Sequence, residues 1–576
     1  MNKVTPQKKS KGIAFRIFSV FLSIIIVSLT IWFIYQISNL NILPMKLFLP
    51  VAIMLVLVDS IFLLLINFSV QKILSKIFMS FLVILLGCAY GFGNYYLLKT
   101  SSMLNTVTSN EDKQKNTVSL ITMNTNEDEE LVDFEGKKIA VLRAIDTQGT
   151  EECLKQIKKE KVSFETQEVT SVREQVQALY DGHVDGIILN ESMRATVLEL
   201  DGFSNFTEET KVIFKAVYYT EKENVAKAVD DITTHPFTIL ISGNDTYGDI
   251  GEVSRSDVNM LVTVNPVTAT VLMTSIPRDY YVPQVCDTND ACLYGQYDKL
   301  THTGLHGVNT TKSTIEDFLG IEINYSYRVN FSSVIDLVNA LDGITVNIEP
   351  GLAVESFWTY PEYGVTEGEN FLDGPKALAL ARERYAYEDG DMQRNRNQQL
   401  VLTAIIEKAT SPTMIKNYAK FMDALSGAFE TDMTQDEISA LIQYQLDANP
   451  KWKIEHYQLE GYGDMRLSAE MGSAVSVMIP NQGTIDIAKQ KIEAVLSGES
   501  SDIISTENVE EYYLDIYSSV GITYDDTTYD ESEYYEEEPI YQEDSSSNDQ
   551  YYDENIDGLY TDEYYDPNQN QYPVYE

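Results

Sequence analysis

The sequence predicts an α/β protein whose folded domains stand behind a helical membrane anchor. Three observations carry that class. Long apolar runs crowd the amino terminus, strand and helix patterns alternate from Leu131 to Thr234, and a second alternation from Pro236 to Gly498 collects charged residues at its strand ends. With 576 residues and 44% hydrophobic content, the chain is too long for one domain and has apolar material for several cores.

The anchor comes first. Gly12 to Tyr35, Leu47 to Phe68 and Ile77 to Leu98 each run for about 20 mostly apolar residues, the length that crosses a bilayer. Two further spans follow the first, and no small-residue cleavage site follows Tyr35, which argues against a removed signal peptide. Lys3, Lys8, Lys9 and Lys11 precede the first span, and Lys72 and Lys76 lie between the second and third. The positive-inside rule makes both stretches cytoplasmic, so everything after about Lys99 is expected outside the cell, held to the cell membrane as a multi-pass protein. Lys46, in the outer loop, is the exception. Asp59 interrupts the second span, either as an intramembrane functional group or as a carboxyl turned toward another helix.

Residues 1–99 are thus the anchor and 100–130 a linker. An accessory domain is expected over 131–234, from the order KKIAVLR (strand), EECLKQIKKEK (helix), FETQEVTS (extended), REQVQALYDG (helix) and VDGIILN (strand). That order suggests a partly parallel sheet with helices, and no chemical motif lies in it. Over 235–498, FTILISG, VNMLVTVNP and ATVLMTSIPRD read as strands, with GITVNI as another. KSTIEDFLG, SSVIDLVNALDG, GPKALALARERY and DMQRNRNQQLVLTAIIEKA read as helices, which together predict an α/β/α sandwich.

The formal charge of -45 is unevenly spread. No lysine or arginine follows Lys491, and Tyr, Asp and Glu dominate 499–576, which holds about half of the net charge. Like-charge repulsion and few aliphatic residues predict a disordered tail there. So acidic a chain, with no helix-turn-helix signal, is not expected to bind nucleic acid. Cys88 lies in the third span and Cys153 stands alone, while Cys286 and Cys292 share one short loop and could pair in an oxidising compartment. His302 and His306 are not at zinc-ligand spacing and read as loop residues.

Charged residues mark the strand ends of the second region. Asp245 follows its first strand, Arg255 and Asp257 precede the next, and Arg278 and Asp279 follow the third. Farther on come Arg382 and Arg384 in ARERY, then Asp391, Arg394 and Gln398 in DMQRNRNQ, where Arg394 and Gln398 share a helix face. Ligands of α/β sheets gather at such ends. Guanidinium forks match phosphate oxygens, and carboxylates hold Mg²⁺ partly through substrate phosphates, so the set describes a diphosphate site. A surface ion-pair network is the competing reading of the same residues.

The series ISGNDTYGDIGEVSRSDVNMLVTVNP, TSIPRDYYV and LARERYAYEDGDMQRNRNQ resembles, in order and spacing, the LytR-CpsA-Psr family over about Pro236 to Thr410. The three spans and accessory domain are similar to its capsule-associated CpsA branch. The resemblance implies an LCP-type catalytic domain that holds a polyprenyl diphosphate, its tail in an apolar tunnel, and transfers the attached glycopolymer, a capsular polysaccharide or a teichoic-acid-like chain, to peptidoglycan. It implies Mg²⁺ on Asp245 and Asp257, and phosphate contacts from Arg255, Arg278, Arg382, Arg384 and Arg394 with Gln398 beside them. Asp279 and Asp391 fall inside the same motifs. Lys299 opens DKLTHTG, which looks like the KLNHAY-type stretch of relatives, with Thr301 where asparagine is common.

Arg278, Asp257 and Asp279 are the expected catalytic residues, with an aspartate near the metal as base toward the acceptor hydroxyl. Expected partners are the lipid-linked glycan, peptidoglycan and capsule or envelope assembly proteins. The alternatives are a non-catalytic envelope regulator, a polyprenyl-diphosphate-binding protein and a pyrophosphatase acting on the same lipid.

Overall fold

In the computed structural model, the described residues are 10–69, 72–108, 113–221, 226–244, 253–286, 292–411, 424, 429–506, 509 and 512–513. The acidic segment after 513, and with it most of the predicted tail, lies outside them, as does Asp245. Three helices, Ser10–Leu40, Met45–Leu64 and Ile73–Thr108, contain stretches long and apolar enough to cross a membrane: Phe15–Leu40, Met45–Phe68 and Ile73–Met103. Asp59 is buried and accepts a hydrogen bond from the Tyr90 hydroxyl at 2.9 Å, so its carboxyl faces a neighbouring helix.

Strands β1 (Lys113–Met123), β2 (Lys138–Val141), β3 (Glu165–Glu168), β4 (Gly186–Asn190) and β5 (Thr210–Glu221) form a sheet in the order β3-β2-β4-β1-β5. β3, β2 and β4 are parallel, β1 runs antiparallel to β4, and β5 pairs antiparallel with β1. The helices Thr147–Lys159 and Val172–Tyr180 supply the crossovers, each with a side-chain N-cap, Asp146 or Ser171. The alternation read from the sequence stands in that order. The linker does not: its residues 113–123 are a full strand whose Val118, Leu120 and Ile121 are buried between two apolar clusters. Polar Lys, Gln, Asn and Thr at the start of β1 hid it from a composition-based reading.

The next sheet holds β6 (Phe237–Gly243), β7 (Val258–Asn265), β8 (Thr270–Ile276), β11 (Tyr325–Val329), β14 (Phe429–Thr431) and β15 (Lys453–Gln458), ordered β14-β11-β6-β7-β8-β15. Alternation along β7 sends Leu261 to one core, with helices Val308–Leu319 and Gln482–Ser497. Met260, Val262 and Val264 go to the other, with helices Asp391–Ala409 and Gln435–Ala448. Both faces are covered, which is the predicted sandwich.

Three two-stranded ribbons decorate it: β9 (Tyr281–Pro283) with β10 (Tyr297–Lys299), β12 (Ile344–Ile348) with β13 (Gly368–Leu372), and β16 (Gly461–Ser468) with β17 (Ser473–Pro480). Helices Phe331–Ala340 and Gly374–Arg382 complete a further apolar cluster, into which Leu40 and Met103 from the membrane helices are buried. Gly498, left-handed at φ 91°, ends the last long helix, Gln482–Ser497. Some of the chain beyond it is ordered, however. A 3-10 turn spans Ser501–Ile503, the Gln482 backbone N–H donates to the Tyr512 carbonyl, and Tyr513 stacks edge-on against Tyr462.

Candidate active site

Sheet register assembles the centre. β7 and β8 run antiparallel with Asn259 opposite Ile276. Extending each strand by two residues places Asp257 beside Arg278, and Arg278 Nη1 donates to Asp257 Oδ1 at 2.6 Å. Thr301 ties the two ends together: its backbone N–H donates to the Arg278 carbonyl at 2.8 Å, its carbonyl accepts from Ser256 N–H at 3.0 Å, and its hydroxyl donates to Asp257 Oδ1 at 3.1 Å. Gly304 makes this approach possible, since a Cβ there would stand 2.5 Å from the Ser256 nitrogen and 2.7 Å from the Ser254 oxygen.

Around this pair stand the other charges. Lys299 Nζ, at the end of β10, lies 3.3 Å from Asp279 Oδ1. Arg255 is 5% exposed, with Nη2 at 3.8 Å from Asp257 Oδ2. The first turn of helix Asp391–Ala409 brings Arg394 Nη1 to 3.1 Å from Asp391 Oδ1, and Arg384 Nη1 lies 3.6 Å from the same oxygen. Burial works to raise the Asp257 pKa, but the Arg255, Arg278 and Arg394 charges outweigh it and hold the carboxyl far below the usual range. Burial likewise opposes the ionised Asp279, and Arg278 and Lys299 overcome it. Burial and the like charge of Arg278 push Arg394 below the ordinary guanidinium value, with Asp391 and Asp257 opposing.

Two sequence-predicted residues stand apart from this arrangement. The Arg382 guanidinium lies 4.2 Å over the Phe331 ring and donates to the Tyr360 hydroxyl; no ion pair among the described residues joins it to the cluster. Gln398 donates to the Ala381 carbonyl at 3.3 Å and so braces the chain that leads to Arg382 and Arg384. Cys286 and Cys292 form a disulfide beside β9. His302 and His306 are not loop spectators. Each meets a carboxylate, the buried His302 with Nδ1 at 2.7 Å from Asp298 and the partly buried His306 with Nε2 at 2.5 Å from Glu470, because the 3-10 segment Leu300–His306 turns them inward.

Thr301 was singled out in the sequence only as standing where asparagine is common, with no role attached. Glu199 escaped it altogether, since it belongs to the accessory domain, yet its Oε1 is 2.5 Å from Arg255 Nη1 and its Oε2 is 3.9 Å from Lys299 Nζ.

Among the described residues no group of three or more His, Cys, Asp or Glu is placed to hold a metal. Asp257 nevertheless suits one carboxylate ligand of Mg²⁺. Its Oδ1 is committed to Arg278 and Thr301, while its buried Oδ2 has no hydrogen-bond partner among the described residues. An ion that takes one or two carboxylates and completes its shell with phosphate and water needs no more from the protein.

What the cluster offers is anion binding. Five cations, Arg255, Arg278, Lys299, Arg384 and Arg394, converge with Asp257, Asp279, Asp391 and Glu199. The Nε–H groups of Arg278 and Arg394 are buried without a hydrogen-bond partner among the described residues. Unmade charge-assisted bonds of that kind are costly, and an oxyanion would satisfy them.

The LytR_cpsA_psr family model matches residues 203–492, half of the chain. The polyisoprenyl-teichoic acid–peptidoglycan teichoic acid transferase TagU of Enterococcus faecalis is 32% identical over 253 residues, covering 43% of this chain and 78% of that protein. TagT of Bacillus subtilis, named for the same transfer, is 33% identical over 232 residues, covering 39% of this chain and 68% of that protein. A crystal structure of B. subtilis TagT aligns at 28% identity over 48% of this chain and 96% of that one, with a TM-score of 0.37. On the extent of the family match and of the two sequence alignments, the chain belongs to the LytR-CpsA-Psr family.

Proposed function

We propose that the chain is a membrane-anchored transferase that moves a glycopolymer from a polyprenyl diphosphate carrier to peptidoglycan, with Mg²⁺ at Asp257 and Asp245. The observation that carries this reading is the pair of buried Nε–H groups of Arg278 and Arg394, which find no hydrogen-bond partner among the described residues although the other guanidinium nitrogens reach Asp257 and Asp391. A hydroxyl or a neutral sugar would leave that charge unanswered, whereas a diphosphate answers it. The names of the relatives support the same donor and acceptor classes.

In the reaction an acceptor hydroxyl oxygen attacks the phosphorus nearest the sugar, the bond from that phosphorus to the bridging oxygen breaks, and polyprenyl monophosphate leaves. Arg278 and Arg394 bind the phosphoryl oxygens on which charge develops, and Arg255 and Lys299 hold the leaving phosphate. Bound Mg²⁺ would supply further charge neutralisation between the two phosphates. Asp257 fixes the Arg278 fork in the plane it needs. The acceptor proton passes to Asp279, whose Oδ1 makes no hydrogen bond within the described residues. Its depressed pKa makes it a weak base, which suffices where nucleophile deprotonation lags behind bond cleavage.

Placement follows from the anchor. Lys46 Nζ donates to the Asp447 carbonyl at 2.7 Å and Ser439 Oγ to the Leu40 carbonyl at 3.2 Å, so the folded domain meets the membrane helices at the end that carries the 41–44 loop. Lys72 and Lys76 lie at the other end, and Lys3, Lys8, Lys9 and Lys11 precede the first span in the sequence, which supports a cytoplasmic amino terminus and an extracytoplasmic site.

The test is to incubate the full chain in detergent with a polyprenyl-diphosphate-linked oligosaccharide and a peptidoglycan fragment, with Mg²⁺ or with chelator, and to weigh the products. A joined product formed only with Mg²⁺ is expected. Free sugar phosphate without a joined product would make the protein a hydrolase, and lipid binding without turnover would make it a binding protein.

A further inference from the structure

The accessory domain places a carboxylate where the diphosphate is to bind. Glu199 follows the short helix Arg194–Val197, and its backbone is pinned by two neighbours, Val197 and Leu200, buried in the accessory core. From that fixed base the side chain crosses to the catalytic domain, with Oε1 2.5 Å from Arg255 Nη1 and Oε2 3.9 Å from Lys299 Nζ. The Arg255 side chain is 5% exposed and that of Lys299 10%, so both cations are withdrawn from water. The Glu199 side chain is 39% exposed, which leaves it room to turn away.

Resting on the diphosphate reading of the site, we propose that Glu199 is a built-in stand-in for the substrate anion. It occupies the seat on Arg255 and Lys299 until the diphosphate of the lipid carrier displaces it. Burial opposes the charge on Glu199, but Arg255, Lys299 and Arg278 outweigh it and hold the carboxyl below the usual glutamate range, so the stand-in competes as an anion. A seat that is filled most of the time lowers the apparent affinity of any ligand in proportion to the vacant fraction. Because the competitor belongs to a second domain, binding of the carrier and seating of that domain are linked, each weakening the other by the same factor. The accessory domain thereby sets how much lipid-linked diphosphate is needed to load the enzyme, without touching the reacting atoms.

Calorimetric titration of the full chain in detergent and Mg²⁺ with farnesyl diphosphate tests this, with inorganic pyrophosphate in parallel to separate the headgroup from the lipid. The variants are Glu199→Gln and Glu199→Asp. Aspartate keeps the charge but is one methylene too short for the seat, so displacement predicts that both variants bind about tenfold more tightly than the parent. If only the general field of the carboxylate mattered, Glu199→Asp would bind like the parent, and the proposal would be overturned. Weaker binding by Glu199→Gln would also overturn it, making Glu199 a support for the ligand. If neither the parent nor the variants bind either probe, the diphosphate reading itself falls, a result distinct from equal binding by all three.

Discussion

The Gln399 side-chain amide donates to Ser275 Oγ at 2.9 Å and to the Tyr457 carbonyl at 2.8 Å, and so bolts the helix that carries Arg394 to the ends of β8 and β15. Arg278 lies three residues past Ser275. The two guanidinium groups therefore share one mechanical reference. Gln399→Leu keeps the volume but removes these bonds and leaves buried acceptors unmet, at a cost of about 1–3 kcal/mol. Thermal unfolding should register that loss, and kcat should fall about tenfold while the variant remains folded, because Arg394 shifts relative to Arg278.

Arg278→Ala should be the most damaging single change. A fall in kcat/KM of about 10²–10³ is expected from loss of a phosphate donor in a dry site. Stability should fall too, by about 2–3 kcal/mol, because Asp257 keeps its burial and loses its shortest ion pair. The double variant Arg278→Ala with Asp257→Asn should recover much of the stability and none of the activity. Equal unfolding temperatures for the single and double variants would count against this account.

Gly304→Ala tests the close approach between the 3-10 segment and the Ser254–Ser256 backbone. The added methyl must push that backbone away, which moves Arg255 and Asp257 together. Activity should drop by at least about tenfold, since small displacements in a preorganised site are expensive. An active, unshifted Gly304→Ala enzyme would refute the packing argument.

A pH dependence of stability follows from His306. Burial lowers its pKa, but Glu470 raises it more, with help from Asp146 and Asp298, so the folded value stands above 6.5. A raised imidazole contributes its full stability below the unfolded pKa and loses it as pH rises through the folded one. Thermal melts should show that loss on going from about pH 6 to above the raised value. His306→Gln should flatten the profile and be less stable by about 1–2 kcal/mol at the acid end.

The readable parts of the chain were those with local signals. Helical periodicity disclosed the helices, β12 showed a buried face by alternation, and β6 to β8 showed as short apolar runs buried on both faces. β1 was lost to its polar beginning, and β16 and β17 were not read as strands although β17 alternates and buries Val477 and Ile479. At the site, the arginines could be found because they cluster in sequence at strand and helix ends. Arg382 shows the limit of that signal: it stands two residues from Arg384 yet turns to Phe331 and Tyr360, a choice made by aromatic partners brought in from distant segments. Glu199 lies in another domain, and no local pattern marks a carboxylate whose partners arrive only when two domains dock.

Leu40 and Met103, buried in the core beneath the Gly374–Arg382 helix, make the membrane spans part of the catalytic domain's foundation. The enzyme is therefore built like a fixed crane and not like a kite on a string. In the proposed reaction, the distance from the lipid carrier to the site is then set by side-chain packing and not by the reach of a tether.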